Sequence, residues 1–340
     1  MNPIQLHNQV WNALQARRAR LPHALLMAGP RGLGKLDLAR AFVASLLCEQ
    51  PQADGQACGQ CLACGWQAQG NHPDFRLLQP EALSDSDSES EDSKKKPSKE
   101  IKIDQVRALD EFLTVGTHRA GMRIVLIHPA EAMNHNTANS ILKSLEEPSA
   151  DTLFLLISNE PARLLPTIRS RCQFVPLNVP SRQQSIAMLQ AAGVADPEPW
   201  LALAGGAPMQ ALELAQSEQK NWPLELARWF LAGDKLDALT AAAAVDKLLK
   251  DSKGQIGLRQ LIEWSLKWAF DLLLARKRLP VRYFVQHRAT ITTVAAAVPE
   301  IRLLHFYRRL LVCRREVEQP LNSRLFLDEF FLNYRALFAN

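Results

Sequence analysis

The sequence predicts an α/β domain built on a parallel sheet, followed by a second half made almost wholly of helices. Three observations carry this. A glycine-rich loop, Gly29-Pro30-Arg31-Gly32-Leu33-Gly34-Lys35, lies between an apolar run of strand length and a helical pattern. Strand-like runs alternate with helix-like segments as far as about Val179. From Ser181 onward the strand-like runs stop, and helical spacing is broken only by Gly205 to Pro208, Pro223, Pro280, Pro299 and Pro320.

Taken in order, "HALLMAG" (His23 to Gly29) reads as the first strand. Lys35 to Leu47 then keeps helical spacing through Leu38, Ala39, Phe42 and Leu46. "DFRLLQP" (Asp74 to Pro80) is a second short strand. "RIVLIHP" (Arg123 to Pro129) and "TLFLLIS" (Thr152 to Ser158) are nearly continuous in apolar residues, as expected of strands covered on both faces. Between them "NTANSILKSLEEP" reads as a helix stopped by Pro148. The β-α-β alternation implies parallel pairing with right-handed crossovers. The expected organisation is an α/β domain over 1–179, a small helical domain over 180–218 and a larger helical domain over 219–340. In the last of these, "IGLRQLIEWSLKWAFDLLLA" keeps one face apolar through Leu261, Trp264, Leu266, Trp268 and Leu272. A disordered surface insert is expected at about 82–100, where "SDSDSESEDSKKKPSKE" has nothing apolar to bury.

Composition excludes several classes. Among 340 residues, 47% are hydrophobic and 22% charged, ordinary values for a globular chain. No apolar run approaches the roughly 20 residues of a membrane span, and the first residues do not resemble an export signal. A cytoplasmic location with no membrane contact is therefore expected. The net charge of +5 permits a nucleic-acid partner without arguing for one. The densest basic cluster, Ala16 to Arg20, reads as a solvated helix end.

The loop has the pattern G-x-x-x-x-G-K, placed after a strand and opening a helix. Backbone N–H groups there would face an anion, and Lys35 would reach the β- and γ-phosphates. Gly29, Gly32, Gly34 and Lys35 are the candidate phosphate-binding residues. The next position should carry a hydroxyl that holds magnesium, and Leu36 has none. The second metal support should be an Asp after the run Ile124 to Ile127. His128 stands there, and magnesium prefers carboxylate and water oxygens. Pro129 occupies the place of a water-activating acid, and Glu131 is the one nearby substitute. With both magnesium anchors missing, the loop reads as degenerate and non-catalytic.

The six cysteines lie in a chain expected to be reduced, so their spacing points to metal rather than disulfides. Cys48, Cys58, Cys61 and Cys64 have the spacing C-x9-C-x2-C-x2-C, suited to one structural zinc ion with four thiolates and no open position. This module spans 48–64. Cys172 and Cys313 read as ordinary buried thiols. Arg169 and Arg171, in "RLLPTIRSRCQF", lead out of the α/β region. Such arginines are either solvated or salt-bridged side chains, or fingers that enter a neighbour's nucleotide site.

Together "HALLMAGPRGLGK", the four-cysteine module, "ANSILKSLEEP" and "IRSRCQF" resemble the bacterial DNA polymerase III clamp-loader subunits of the AAA+ class. The resemblance covers about the first 180 residues; the helical remainder fits that family's lid and collar domains. Members that hydrolyse ATP keep the hydroxyl after the lysine, the strand-end acids and a lid arginine. This chain has Leu36, His128, Pro129 and, within "GAPMQAL", Met209 instead. The resemblance therefore implies the non-hydrolysing member, a stator in a hetero-oligomeric ring with gamma/tau and delta subunits. Arg171 would act in trans on the ATP of an adjacent gamma/tau subunit while the ring loads the sliding clamp on primed DNA in the replisome. The alternative is an ATP-hydrolysing motor in which Glu131 or water replaces the missing ligands. A third reading, the cysteine module as a DNA-binding element, lacks an accompanying base-reading helix.

Overall fold

A computed structural model describes residues 3–83, 97–114, 117, 121–218, 220–252, 256–317, 319 and 321–339. Most of the insert expected over 82–100, namely 84–96, lies outside the described residues. The chain forms two compact units, Met1–Ser181 and Arg182–Asn340.

The first unit holds a parallel sheet of β1 (Ala24–Ala28), β2 (Phe75–Leu78), β3 (Arg123–Ile127), β4 (Thr152–Ser158) and β5 (Gln173–Pro176). Their order is β2-β3-β4-β1-β5, and every pairing is parallel. Its helices are α1 (Pro3–Leu6), α2 (Asn8–Ala16), α3 (Lys35–Leu47), α4 (Leu62–Ala68), α5 (Ile103–Thr114), α6 (His135–Glu146) and α7 (Pro166–Arg169). The three inner strands are buried at every position, which explains their unbroken apolar sequences. One apolar cluster packs Leu26, Val125, Phe154 and Leu156 against Leu109, Ile141 and Ile168. Because every pairing is parallel, the loops leaving β1, β3 and β4 emerge at one end of the sheet, and the strand order reverses at β1. That crevice is where ligands of open parallel sheets bind.

β5 is a strand that apolar pattern does not reveal. It forms a sheet edge, and Phe174 is 54% exposed. It is a strand because it pairs with β1, in register Leu26↔Phe174.

The second unit is all helical: α8 (Arg182–Ala191), α9 (Pro197–Leu203), α10 (Pro208–Gln216), α11 (Trp222–Leu231), α12 (Ala238–Asp251), α13 (Leu258–Arg276), α14 (Arg288–Ala296), α15 (Glu300–Glu316) and α16 (Ser323–Arg335). Local signals start several of them. Asp237 and Asn322 accept N–H bonds from Thr240 and Leu325, and α9, α10 and α11 begin with proline in the first turn. A small cluster joins Leu189, Leu201 and Ala211; a larger one gathers Phe230, Trp268, Leu272, Phe331 and their neighbours. Two buried polar side chains packed with the larger cluster, Tyr334 and Asp271, are satisfied. Tyr334 donates to the carbonyl of Phe230 at 2.7 Å and accepts from Trp268 Nε1 at 3.2 Å. The buried Asp271 carboxylate accepts N–H bonds from Arg282, Tyr283 and Phe284. Burial pushes its pKa up against those three donors. No described helix is long and apolar enough to cross a membrane.

Candidate functional site: a glycine-rich loop, four cysteines and an arginine

The loop from Gly29 to Gly34 links β1 to α3, where the sequence places it. Gly32 and Gly34 take left-handed conformations, φ 79° and 75°, which suit glycine. At Gly29 the requirement is space: a Cβ there would lie 2.3 Å from the carbonyl oxygen of Leu177. Lys35 opens α3 but turns back, donating to the carbonyls of Gly29 at 2.8 Å and Pro30 at 2.6 Å. Its side chain is buried, and desolvation lowers its pKa to about 8 despite the attraction of Glu131. His7 also reaches the loop, its Nε2 donating to the carbonyl of Leu33 at 2.6 Å. The apolar Leu33 side chain is fully buried. The loop therefore holds the lysine ammonium on its own carbonyls. Sequence patterns gave no sign of His7, because its partner is 26 positions away and outside any motif.

His128 and Glu131, at the positions where the sequence led us to look for magnesium anchors, lie beside the loop. His128 follows β3, and desolvation depresses its pKa to about 4, so the imidazole is neutral at pH 7. Its Nδ1 is buried and has no hydrogen-bond partner among the described residues. Glu131 lies on a single turn, Ala130–Ala132. One of its oxygens accepts from the backbone N–H and the Nδ2 of Asn159, at 2.9 and 3.0 Å. Its other oxygen is buried with no such partner. Asn159 follows β4 directly, so Glu131 bridges two strand ends, another link beyond the reach of local pattern.

Cys48, Cys58, Cys61 and Cys64 come together with all four sulfur atoms within 4.8 Å of one another. Cys48 caps the end of α3, Cys61 caps the start of α4, and Cys64 lies in its first turn. The Cys48–Cys61 and Cys58–Cys64 sulfur separations are both 3.9 Å. A tetrahedron with metal–sulfur bonds of about 2.3 Å has edges of about 3.8 Å, so the set fits a four-coordinate thiolate site. Backbone N–H groups point at the sulfurs, including Cys58 N to Cys48 Sγ at 3.2 Å and Cys61 N to Cys58 Sγ at 3.3 Å. The donors Gln60 and Cys61 lower the Cys58 thiol to about 6, whereas burial pushes Cys64 up to about 12.

The module is tied to the N-terminal helices. Trp11 donates to the carbonyl of Asp54 at 3.1 Å, and Ser45 donates to that of Gly55. Arg18 donates to the Ser45 carbonyl at 2.8 Å. At least this arginine of the Ala16 to Arg20 cluster is a structural tie rather than a solvated end.

Arg171 sits between α7 and β5. Its Nη2 pairs with Glu146 Oε1 at 2.5 Å and its Nη1 donates to the Thr167 carbonyl at 2.9 Å. Arg169, by contrast, is exposed with no side-chain partner among the described residues. Of the two remaining thiols, Cys313 is buried and Cys172 half-buried, its pKa raised to about 11 by desolvation.

Residues 6–181 match the family model described as "DNA polymerase III, delta subunit". The chain is 40% identical to the DNA polymerase III subunit delta-prime of Pseudomonas aeruginosa over 271 residues, covering 78% of this chain and 75% of that one. It is 30% identical to the subunit of the same name from Yersinia pestis over 338 residues, 92% and 89% of the two chains. Its identity with the Escherichia coli subunit is 35% over 203 residues, 59% and 56% of the two.

Proposed function

The chain belongs to the delta-prime family of DNA polymerase III clamp-loader subunits, and on that premise we propose that it is the stator of the loader, which hydrolyses no ATP itself and lends Arg171 to a neighbour. The observation that carries this reading is the state of the glycine-rich loop. Lys35, which would grip the β- and γ-phosphates, is buried on the carbonyls of Gly29 and Pro30. The two positions for magnesium anchors hold a leucine and a neutral, desolvated histidine. Phosphoryl transfer without that metal would leave the developing charge uncompensated. Gly29, Gly32 and Gly34 then serve as architecture: Gly29 lets the β1–α3 connection pass close to Leu177, and Gly32 and Gly34 take its left-handed turns.

In this reading the neighbour is a gamma/tau subunit, and delta completes the ring that places the sliding clamp on primed DNA in the bacterial cytoplasm. Arg171 would stabilise charge on the neighbour's γ-phosphate, a contribution of up to ~10³-fold or more in rate for such arginines. Residues 180–218 would form the lid and 219–340 the collar. The four cysteines would hold structural zinc: the donor set is all sulfur, and four ligands leave no open position for chemistry.

A second reading, an ATP-hydrolysing motor, draws on Glu131, whose charge is close enough to Lys35 to oppose the desolvation that lowers its pKa. Steady-state hydrolysis of ATP by the purified chain with magnesium, using Lys35→Ala as control, separates the two. The stator reading expects no turnover above the Lys35→Ala level. Turnover that vanishes in Lys35→Ala would establish the motor, with Glu131 as the first residue to replace.

A further inference from the structure

Among the described residues, the ion pair of Arg171 ties the segment after α7 to the end of α6, two elements that the catalytic reading leaves unconnected. Glu146 is the last residue of α6, and Glu147 follows it as the cap. Both acids stand at the negative pole of the helix, an unfavourable place for them. The Arg171 guanidinium answers that excess, meeting Glu146 at 2.5 Å. Its other terminal nitrogen is occupied by Thr167 of α7. The Arg171 side chain is only 33% exposed in this arrangement, and Glu146 is 48% exposed.

A guanidinium recognises phosphate through the same N–H groups, in the same plane, that it offers a carboxylate. Glu146 and a phosphate therefore compete for Arg171. We infer that Glu146 is a positioning residue that parks Arg171 against the end of α6, so that engaging a neighbouring subunit's phosphate requires release of this ion pair. The inference rests on the reading of Arg171 as a residue that acts in trans, and adds a regulatory element to it. The restraint is small, because a half-exposed pair favours the parked state by a factor of only about two to five. A restraint of that size suits a device that must yield when the neighbour's triphosphate comes into place. Its effect is to hold down hydrolysis in rings whose subunits are not yet aligned.

The test uses the loader reconstituted from this chain and its ATP-hydrolysing partners, with Glu146→Gln, Arg171→Ala and the double variant. Glu146→Gln keeps the shape of the side chain and removes its charge. In the absence of clamp and DNA it should raise ATP hydrolysis about two- to fivefold, and it should have no effect in the Arg171→Ala background. A merely structural role would not produce a gain in rate that depends on Arg171. If Arg171→Ala slows hydrolysis while Glu146→Gln leaves it unchanged or lowers it, the parking role is overturned and the trans role stands. If Arg171→Ala leaves the rate at the wild-type value, the trans reading itself fails, and parking fails with it. A second measurement needs no ring. Phenylglyoxal should modify Arg171 faster in the free Glu146→Gln chain than in the wild type, as read by mass spectrometry of the peptide. Equal rates would show that Glu146 does not restrain the arginine.

Discussion

At the scale of single residues, His128 has the clearest physical signature. It follows β3 directly, where the proposed function places the missing magnesium-binding acid, and burial holds its pKa near 4 against an ordinary value of about 6.5. The unfolded chain therefore binds a proton between pH 6.5 and 4 that the folded chain refuses. Stability from this residue is complete above pH 6.5, declines as the pH falls, and levels off below 4. Between pH 7 and pH 5 the loss should be on the order of 2 kcal/mol. His128→Asn, which cannot take up the proton, should reduce the decline by that amount. Amide hydrogen exchange in β3 at the two pH values is the measurement, and an equal decline in both proteins would refute the assignment. The same burial explains the choice of residue. A carboxylate at that place would need a metal or another cation, and the nearby Lys35 is already committed to its own loop.

Among elements, the cysteine module and the edge strand show two ways in which short segments acquire structure. The module has few apolar residues and is organised by sulfur, by N–H donors to sulfur, and by ties to Trp11, Ser45 and Arg18. Metal analysis of the freshly purified chain should find one zinc per molecule, and Cys64→Ser should fall well below that. The packing of the sheet against α5 and α6 should survive the change, because that apolar cluster contains none of the four cysteines. Protease cleavage between Cys48 and Cys61 should become faster. A wild-type chain purified without metal would overturn the site. The module was legible in the sequence because metal-ligand spacing is a local quantity. β5 was not, because a four-residue strand on the sheet edge needs no apolar alternation, and only its pairing with β1 defines it.

At the scale of the molecule, the helical unit carries its own core, so its stability can be tested apart from the loop chemistry. The hydrogen bonds of Tyr334 link α16, α13 and the end of α11 within the aromatic cluster of Phe230, Trp268 and Phe331. Tyr334→Phe keeps the ring and strands the Trp268 N–H and the Phe230 carbonyl without this partner. The cost should be about 1–3 kcal/mol, the usual penalty for stranded buried polar groups. Urea unfolding followed through tryptophan emission measures it, and a change below about 0.5 kcal/mol would mean that neither group depends on the hydroxyl. Such interlocked polar contacts suit a subunit proposed to act as a stiff support, although the helical spacing of Leu261 to Leu272 shows only which face is apolar.

The sequence by itself determined the parallel α/β class, the three inner strands, the glycine-rich loop, the leucine and histidine at positions 36 and 128, and the four-cysteine set. Each of these is written in neighbouring residues, through periodicity, spacing or the chemistry of a single position. Tertiary structure decided what those residues do in place. It turned Lys35 onto the loop carbonyls, brought His7 to Leu33, joined Glu131 to Asn159 and set Arg171 against Glu146. These are polar contacts between segments that the chain brings together only on folding. Their geometry depends on where whole strands and helices end, and no local pattern encodes that.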